Sequence, residues 1–227
     1  MSTCHVWWAA PVAPADAPAL VELLDEHERE RLSRFRQPAD SARYLAAHAL
    51  TRIVLGRFLE RAPSSLVIDR TCRCGAQHGK PTLAGGGPGF SLSHAGDVVG
   101  VAVLDGGVLG LDVEAVRPMS DLAAMADHVG APAEPSAFFQ AWTRKEALLK
   151  ATGDGLTSPM EAIVLDADGV RSWTGEGAPD GPVWLRDLRA PDGSPAAVAG
   201  LGPKAPEVIE HDGAILLHEG ESRSSTR

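Results

Sequence analysis

Leucines recur at helical spacing among alternating charges in residues 16–36, "LVELLDEHERERLSRF", a pattern that predicts one surface helix. A second helix is predicted to start at Asp40, a good N-cap, and to run through "SARYLAAHALTRIVLGRFLER" until Pro63 stops it. Its apolar residues surround the axis, so it is expected to be central. "SLVIDR" is a short strand candidate, and "TCRCGAQHGKPTLAGGGPG" after it is a loop. Three β-like runs follow, "FSLSHAG", "VVGVAVL" and "VLGLDVEAV", the last two joined by a "DGG" turn that suggests a hairpin. Residues 117–136 are small and proline-bearing, hold at most one short helix, and read as the junction between halves. "FFQAWTRKEALLKATGDGL", residues 138–156, is an amphipathic helix. Beyond Pro159 strands return in "EAIVLDADG", "VRSWTG", "PVWLRDLRA" and "AAVAGLG", with "PDGS" as the last hairpin turn and "EGESRSSTR" as a loose tail. Helix followed by strands occurs twice, which permits two similar α/β halves.

Composition narrows the class. A chain of 227 residues buries a real core, and 44% hydrophobic with 22% charged residues is a globular balance. The formal charge of −9 offers no basic surface for nucleic acid, so an anionic ligand must be held locally. No stretch approaches a membrane span, and the N-terminus lacks a basic region before its apolar residues, so the protein reads as cytoplasmic. Cys4, Cys72 and Cys74 form an odd set that suits a reducing compartment. Cys72, Cys74 and His78 are soft ligands but fall short of the four that structural zinc takes; Cys4 or His5 would have to complete the set, and a thiol-bearing loop is the simpler reading.

The chemistry gathers in two places. In "GLDVEAV", strand alternation points Asp112 and Glu114 to one face, where two carboxylates need a cation, a proton or a basic neighbour. Hard oxygen ligands of this kind suit Mg²⁺, although a solvated strand edge would look the same. On the helix, Phe138, Ala141, Trp142, Leu148 and Leu149 share one arc, and Glu146 and Lys150 lie at its margin. By themselves they are an i,i+4 pair contributing about 0.2–0.5 kcal/mol. Lys145 falls inside the apolar arc and reads as structural. "HGKP" puts Lys80 on a fixed loop, and "FSLSHAG" puts His94 at a strand end, with Ser91 and Ser93 alternating before it and no nucleophile elbow.

Taken in order, "GKP", "FSLSHAG", "GLDVE" and "WTRKEALLKATGDGL" resemble the 4'-phosphopantetheinyl transferases, in particular the larger, monomeric kind. The resemblance implies an α/β (α+β) fold of two similar halves with pseudo-two-fold symmetry and coenzyme A in the cleft between them. It divides the chain into an N-terminal half, 1–108, a C-terminal half, 109–205, and an extension with a disordered tail, 206–227. It implies Asp112, Glu114 and Glu146 as Mg²⁺ ligands, Lys150 against the phosphates, and Lys80, Ser93 and His94 toward the nucleotide end of coenzyme A. Arg31 and Arg43 would lie near the 3'-phosphate, and Glu28 stands where a basic nucleotide contact is expected. The implied reaction transfers phosphopantetheine to a serine of an apo acyl or peptidyl carrier protein with adenosine 3',5'-bisphosphate as product, and Glu146, at the helix margin, is the candidate base, directly or through a water. A coenzyme A-binding partner without transfer activity is the alternative.

Overall fold

The computed structural model describes residues 2–72, 75–77, 79–153 and 158–224. Of Cys72, Cys74 and His78 on the expected thiol-bearing loop, Cys74 and His78 lie outside the described residues.

The first helical pattern breaks in two, α1 (Pro18–Glu22) and α2 (Glu26–Ser33), rather than forming one helix. The cause is Asp25, whose extended backbone begins α2 with a reciprocal capping box: Glu28 N donates to Asp25 Oδ1 (2.8 Å), and Asp25 N to Glu28 Oε2 (3.0 Å). α3 (Pro38–Leu59) starts before the expected Asp40, because the fixed φ of Pro38 suits a first turn; Asp40 then lies inside that turn. Its C-cap is Glu60 in the left-handed region (φ 52), so the helix ends ahead of Pro63.

β1 (Thr3–Ala9) is paired on both edges, antiparallel with β5 (Val98–Leu104) and parallel with β11 (Glu207–Asp212). The short β2 (Ile68–Asp69) and β3 (Thr82–Leu83) pair outside the main sheets. β4 (Gly89–Ala95) completes a four-stranded sheet in the order β11-β1-β5-β4. The second sheet is β6 (Leu109–Val113), β10 (Pro195–Leu201) and β9 (Val183–Arg189), with β10 central. β7 (Ile163–Asp166) and β8 (Gly169–Trp173) form a separate hairpin.

The "DGG" turn is thus no hairpin: both edges of β5 are taken by β1 and β4, so the chain crosses to the second sheet and β6 pairs with β10. The "PDGS" turn does join paired strands, β9 and β10. Residues 206–224 are not an extension ending in a loose tail. β11 lies beside β1, α6 (Ala214–Ser224) buries Leu216 and Leu217 in the first core, and Glu219 pairs with Arg57.

The layers stack as helix, sheet, sheet, helix. α3 covers one face of the first sheet through Leu45, Leu50 and Val54. Val6, Trp8 and Ala102 meet Leu111, Trp184 and Val198 between the sheets. α5 (Pro135–Thr152) covers the second sheet with Phe138, Leu148 and Leu149, joined by α4 (Leu122–Val129) through Ala126 and Val129. Among the described residues no helix is long and apolar enough to cross a membrane.

Two features hold these layers at close range. Gly110 lets α5 approach the β6 backbone, since a Cβ there would lie 2.1 Å from Ala147 O and 2.6 Å from Ala151 N. In the first half, Glu28 is fully buried and accepts from Arg52, Arg70 and His48, while Asp25 accepts from both arginines. Glu28 is therefore a core ion-pair residue and no stand-in for a nucleotide contact. Burial raises its pKa, but the His48 hydrogen bond and the Arg52 charge outweigh that and bring it down to about 2. Burial lowers the pKa of His48 against the opposing pull of Glu28, whose Oε1 lies 2.9 Å from the ring Nδ1.

Gly110→Ala should lower stability by about 1–3 kcal/mol in urea unfolding, because backbone rather than a mobile side chain must give way. Arg52→Met should cost about 3–5 kcal/mol by leaving buried carboxylates uncompensated. Glu28 binds its proton less tightly folded than unfolded, so its contribution should be complete above its ordinary value of 4.5 and fade as pH falls toward about 2, read as melting temperature against pH.

Candidate active site

One edge of β6 is satisfied by β10, and the other faces β4 across the seam between the sheets. On that second edge side chains take the place of ladder partners. Lys80 Nζ donates to Leu109 O (2.8 Å), Leu111 N to Ser91 Oγ (2.9 Å), Lys150 Nζ to Leu111 O (3.2 Å) and Val113 N to Ser93 Oγ (3.3 Å). Ser91 and Ser93 are two residues apart on β4, so alternation turns both hydroxyls toward the seam.

The acidic residues stand at the end of this seam. Asp112 is 4% exposed; its Oδ1 accepts from Lys150 Nζ (2.6 Å) and Ser93 Oγ (3.0 Å). Its Oδ2 is buried and has no hydrogen-bond partner among the described residues. Glu114, just beyond β6, pairs with Arg117 (3.0 Å). Glu146 lies on α5 one turn before Lys150. Burial raises the pKa of Glu146, Asp112 and Glu114 raise it further, and Lys150 opposes them. Burial and then Asp112 likewise raise the pKa of Glu114, against Arg117 and Lys150. The three carboxylates share one electrostatic field, as expected. Lys150 and Arg117 hold two of them, and among the described residues no three acidic, His or Cys side chains surround a single point. The orphaned Oδ2 of Asp112 and the neighbouring Glu114 and Glu146 supply hard oxygens of the kind a divalent cation takes.

The other expected residues divide. His94 is the residue before the last of β4, and burial by the surrounding protein, then His48, Lys150 and Arg43, brings its pKa down to about 4. Arg43 donates to Gly96 O (2.8 Å) and pairs with Asp40 (2.5 Å), tying α3 to the β4–β5 turn. His94, Arg43, Ser93 and Lys150 thus lie together. Arg31 is exposed in the last turn of α2, and its charge reaches Tyr44. Lys80 gives two of its donors to the backbone, Leu109 O and Ala151 O (3.2 Å), and burial brings its pKa down to about 8. Lys145 is structural, with Nζ donating to the carbonyls of Val129, Gly130 and Met160.

Cys4 is packed between the sheets, where burial pushes its thiol up to about 12, and His5 faces His211 (2.8 Å). Sequence reasoning missed Arg117 and the part played by Ser91; the alternation of "FSLS" was the available signal for the second.

Residues 108–187 match the 4'-phosphopantetheinyl transferase superfamily, and residues 8–105 match 4'-phosphopantetheinyl transferase, N-terminal. The chain is similar to 4'-phosphopantetheinyl transferase HetI of Nostoc sp., 32% identical over 87% of this chain and 87% of that one. It is 31% identical to a phosphopantetheinyl transferase of Thraustochytrium sp. over 72% of this chain and 70% of the other. With 4'-phosphopantetheinyl transferase Sfp of Bacillus subtilis it shares 24% identity over 92% of this chain and 96% of the other. Both halves of the seam thus fall within matched regions, and the chain belongs to the 4'-phosphopantetheinyl transferase superfamily.

Proposed function

We propose that the protein transfers the 4'-phosphopantetheine arm of coenzyme A to a serine hydroxyl of an apo acyl or peptidyl carrier protein, in the presence of Mg²⁺, releasing adenosine 3',5'-bisphosphate. The observation that carries this reading is the buried Oδ2 of Asp112, which has no hydrogen-bond partner among the described residues, beside the carboxylates Glu114 and Glu146. In this reading the protein works as a cytoplasmic monomer, and its two halves are related by a pseudo-two-fold.

Asp112, Glu114 and Glu146 are the residues that would hold Mg²⁺, which when bound supplies charge neutralisation at the phosphate oxygens. The remaining roles belong to the chain. Lys150, now shared between Asp112, Ser93 and Leu111 O, provides an ammonium against the pyrophosphate. Arg43 and His94 lie on the side where the 3'-phosphate would be received, with Arg31 as a further exposed cation. Ser93 orients both Asp112 and Lys150. In the transfer the carrier serine oxygen forms a bond to phosphorus and the bond to the departing nucleotide phosphate breaks. The serine proton passes to Glu146, whose raised pKa suits a base better than an ordinary carboxylate would.

Mass spectrometry of an apo carrier incubated with the protein, coenzyme A and Mg²⁺ should show one added phosphopantetheine. No added mass across acyl and peptidyl carriers would instead leave a coenzyme A-binding partner without transfer. Glu146→Gln should lower turnover by about 10²–10⁴-fold at saturating Mg²⁺; full turnover would remove Glu146 from the base role. Without divalent cations the same variant should melt higher than the parent, by about a degree or two, at pH above the folded titration of Glu146. The sign follows from the raised pKa: folding disfavours the charged carboxylate, so the penalty is present once pH exceeds the folded value and is absent when the group is protonated.

A further inference from the structure

We propose that Arg117 is the positioning residue for Glu114: a guanidinium seated on Phe139 of α5 that holds one oxygen of the Glu114 carboxylate and leaves the other for a divalent cation. The inference rests on the Mg²⁺ role of Glu114 proposed above.

The second sheet fixes the backbone of Glu114 but not its side chain. The Glu114 amide donates to Pro195 O (3.1 Å), and beyond it the chain runs without helix or strand until α4. A glutamate turns about several staggered torsions, so a carboxylate at this point needs a partner if it is to keep one direction. Asp112 has two, Lys150 and Ser93. Among the described residues Glu114 has Arg117, whose Nη1 donates both to Glu114 Oε2 (3.0 Å) and to Ala115 O (3.3 Å). The second bond ties the guanidinium to the backbone beside the carboxylate that it holds.

Arg117 has a seat of its own. Its guanidinium carbon lies 5.0 Å from the centroid of the Phe139 ring, a cation–π contact, and Phe139 is 2% exposed in the core under α5. Phe139 precedes Glu146 by about two helical turns, so ring and carboxylate share one side of the helix. Arg117 therefore reaches from the end of β6 to the element that carries the third acid. An ion pair whose arginine is more than half exposed adds little to stability, so its contribution here is direction rather than folding. A guanidinium also repels a dication. Water screens that repulsion at an exposed group, and the gain from a carboxylate already held in place outweighs it.

The test is Mn²⁺ binding, followed by electron paramagnetic resonance with coenzyme A present and absent. Arg117→Gln should weaken Mn²⁺ about tenfold or more, and Arg117→Lys, which keeps the charge but not the planar fork, should recover part of that loss. Both variants should melt within about 2 °C of the parent, which separates direction from folding. Phe139→Leu should weaken Mn²⁺ in the parent and add nothing in the Arg117→Gln background, because the ring acts through the guanidinium. The Mg²⁺ concentration that gives half-maximal turnover should rise in step with the Mn²⁺ Kd. Unchanged or tighter Mn²⁺ binding in Arg117→Gln would overturn the proposal, the tighter case making Arg117 a competitor of the cation. Equal weakening by Phe139→Leu in both backgrounds would overturn the part of Phe139. A parent that binds no Mn²⁺ in either condition overturns the cation role and this inference with it. A parent that binds Mn²⁺ but modifies no carrier loses the proposed reaction, and the Mn²⁺ affinities still decide what Arg117 does.

Discussion

The free edge of β6 is the constraint on which the rest of this structure depends. A strand buried on both faces and paired on one edge only must find donors and acceptors for the other, and here they come from Lys80, Ser91, Ser93 and Lys150. Two of those side chains also face Asp112. The seam between the sheets and the acidic cluster are therefore one hydrogen-bonded object, and the site inherits its geometry from the way two sheets are joined without a backbone ladder.

The surrounding layers make that joint rigid. Gly110 and the apolar face of α5 press the helix bearing Glu146 and Lys150 onto β6. On the opposite side, the Asp25–Glu28–Arg52–Arg70 network locks α2 and the chain after α3 around the helix that carries Arg43 and His48. Buried ion pairs are poor sources of net stability, but removing one partner is costly, so such a network holds its members in a single arrangement. Crowding three carboxylates at the seam opposes folding, and the apolar layers on either side offset it.

Much of this was legible along the chain because it depends on local periodicity. Strand alternation put Asp112 and Glu114 on one face, and helical spacing put Glu146 and Lys150 at the margin of an apolar arc with Lys145 inside it. The central helix and the strands after Pro159 follow from the same rules. What escaped involves partners distant in sequence: Lys80 meets Ala151 across 71 residues, and β11 meets β1 across roughly the whole chain. The "DGG" turn misled because local turn chemistry carries no information about which edges of β5 are already taken. The break before α2 was readable, since Asp25 and Glu28 have capping-box spacing, but the dense leucine pattern around them masked it.

The return of β11 and α6 to the first sheet bears on how the chain is made. The first half consists of residues from both ends of the sequence, and the second sheet is inserted between them. A ribosome releases the amino-terminal strand early and the strand that covers its open edge last. Until then β1 offers a bare parallel edge, and the aromatic face of Trp7, which later stacks on His211, has no cover from that strand. Strand closure over such a separation is slow, so the half that holds the ion-pair network is the one completed last during synthesis.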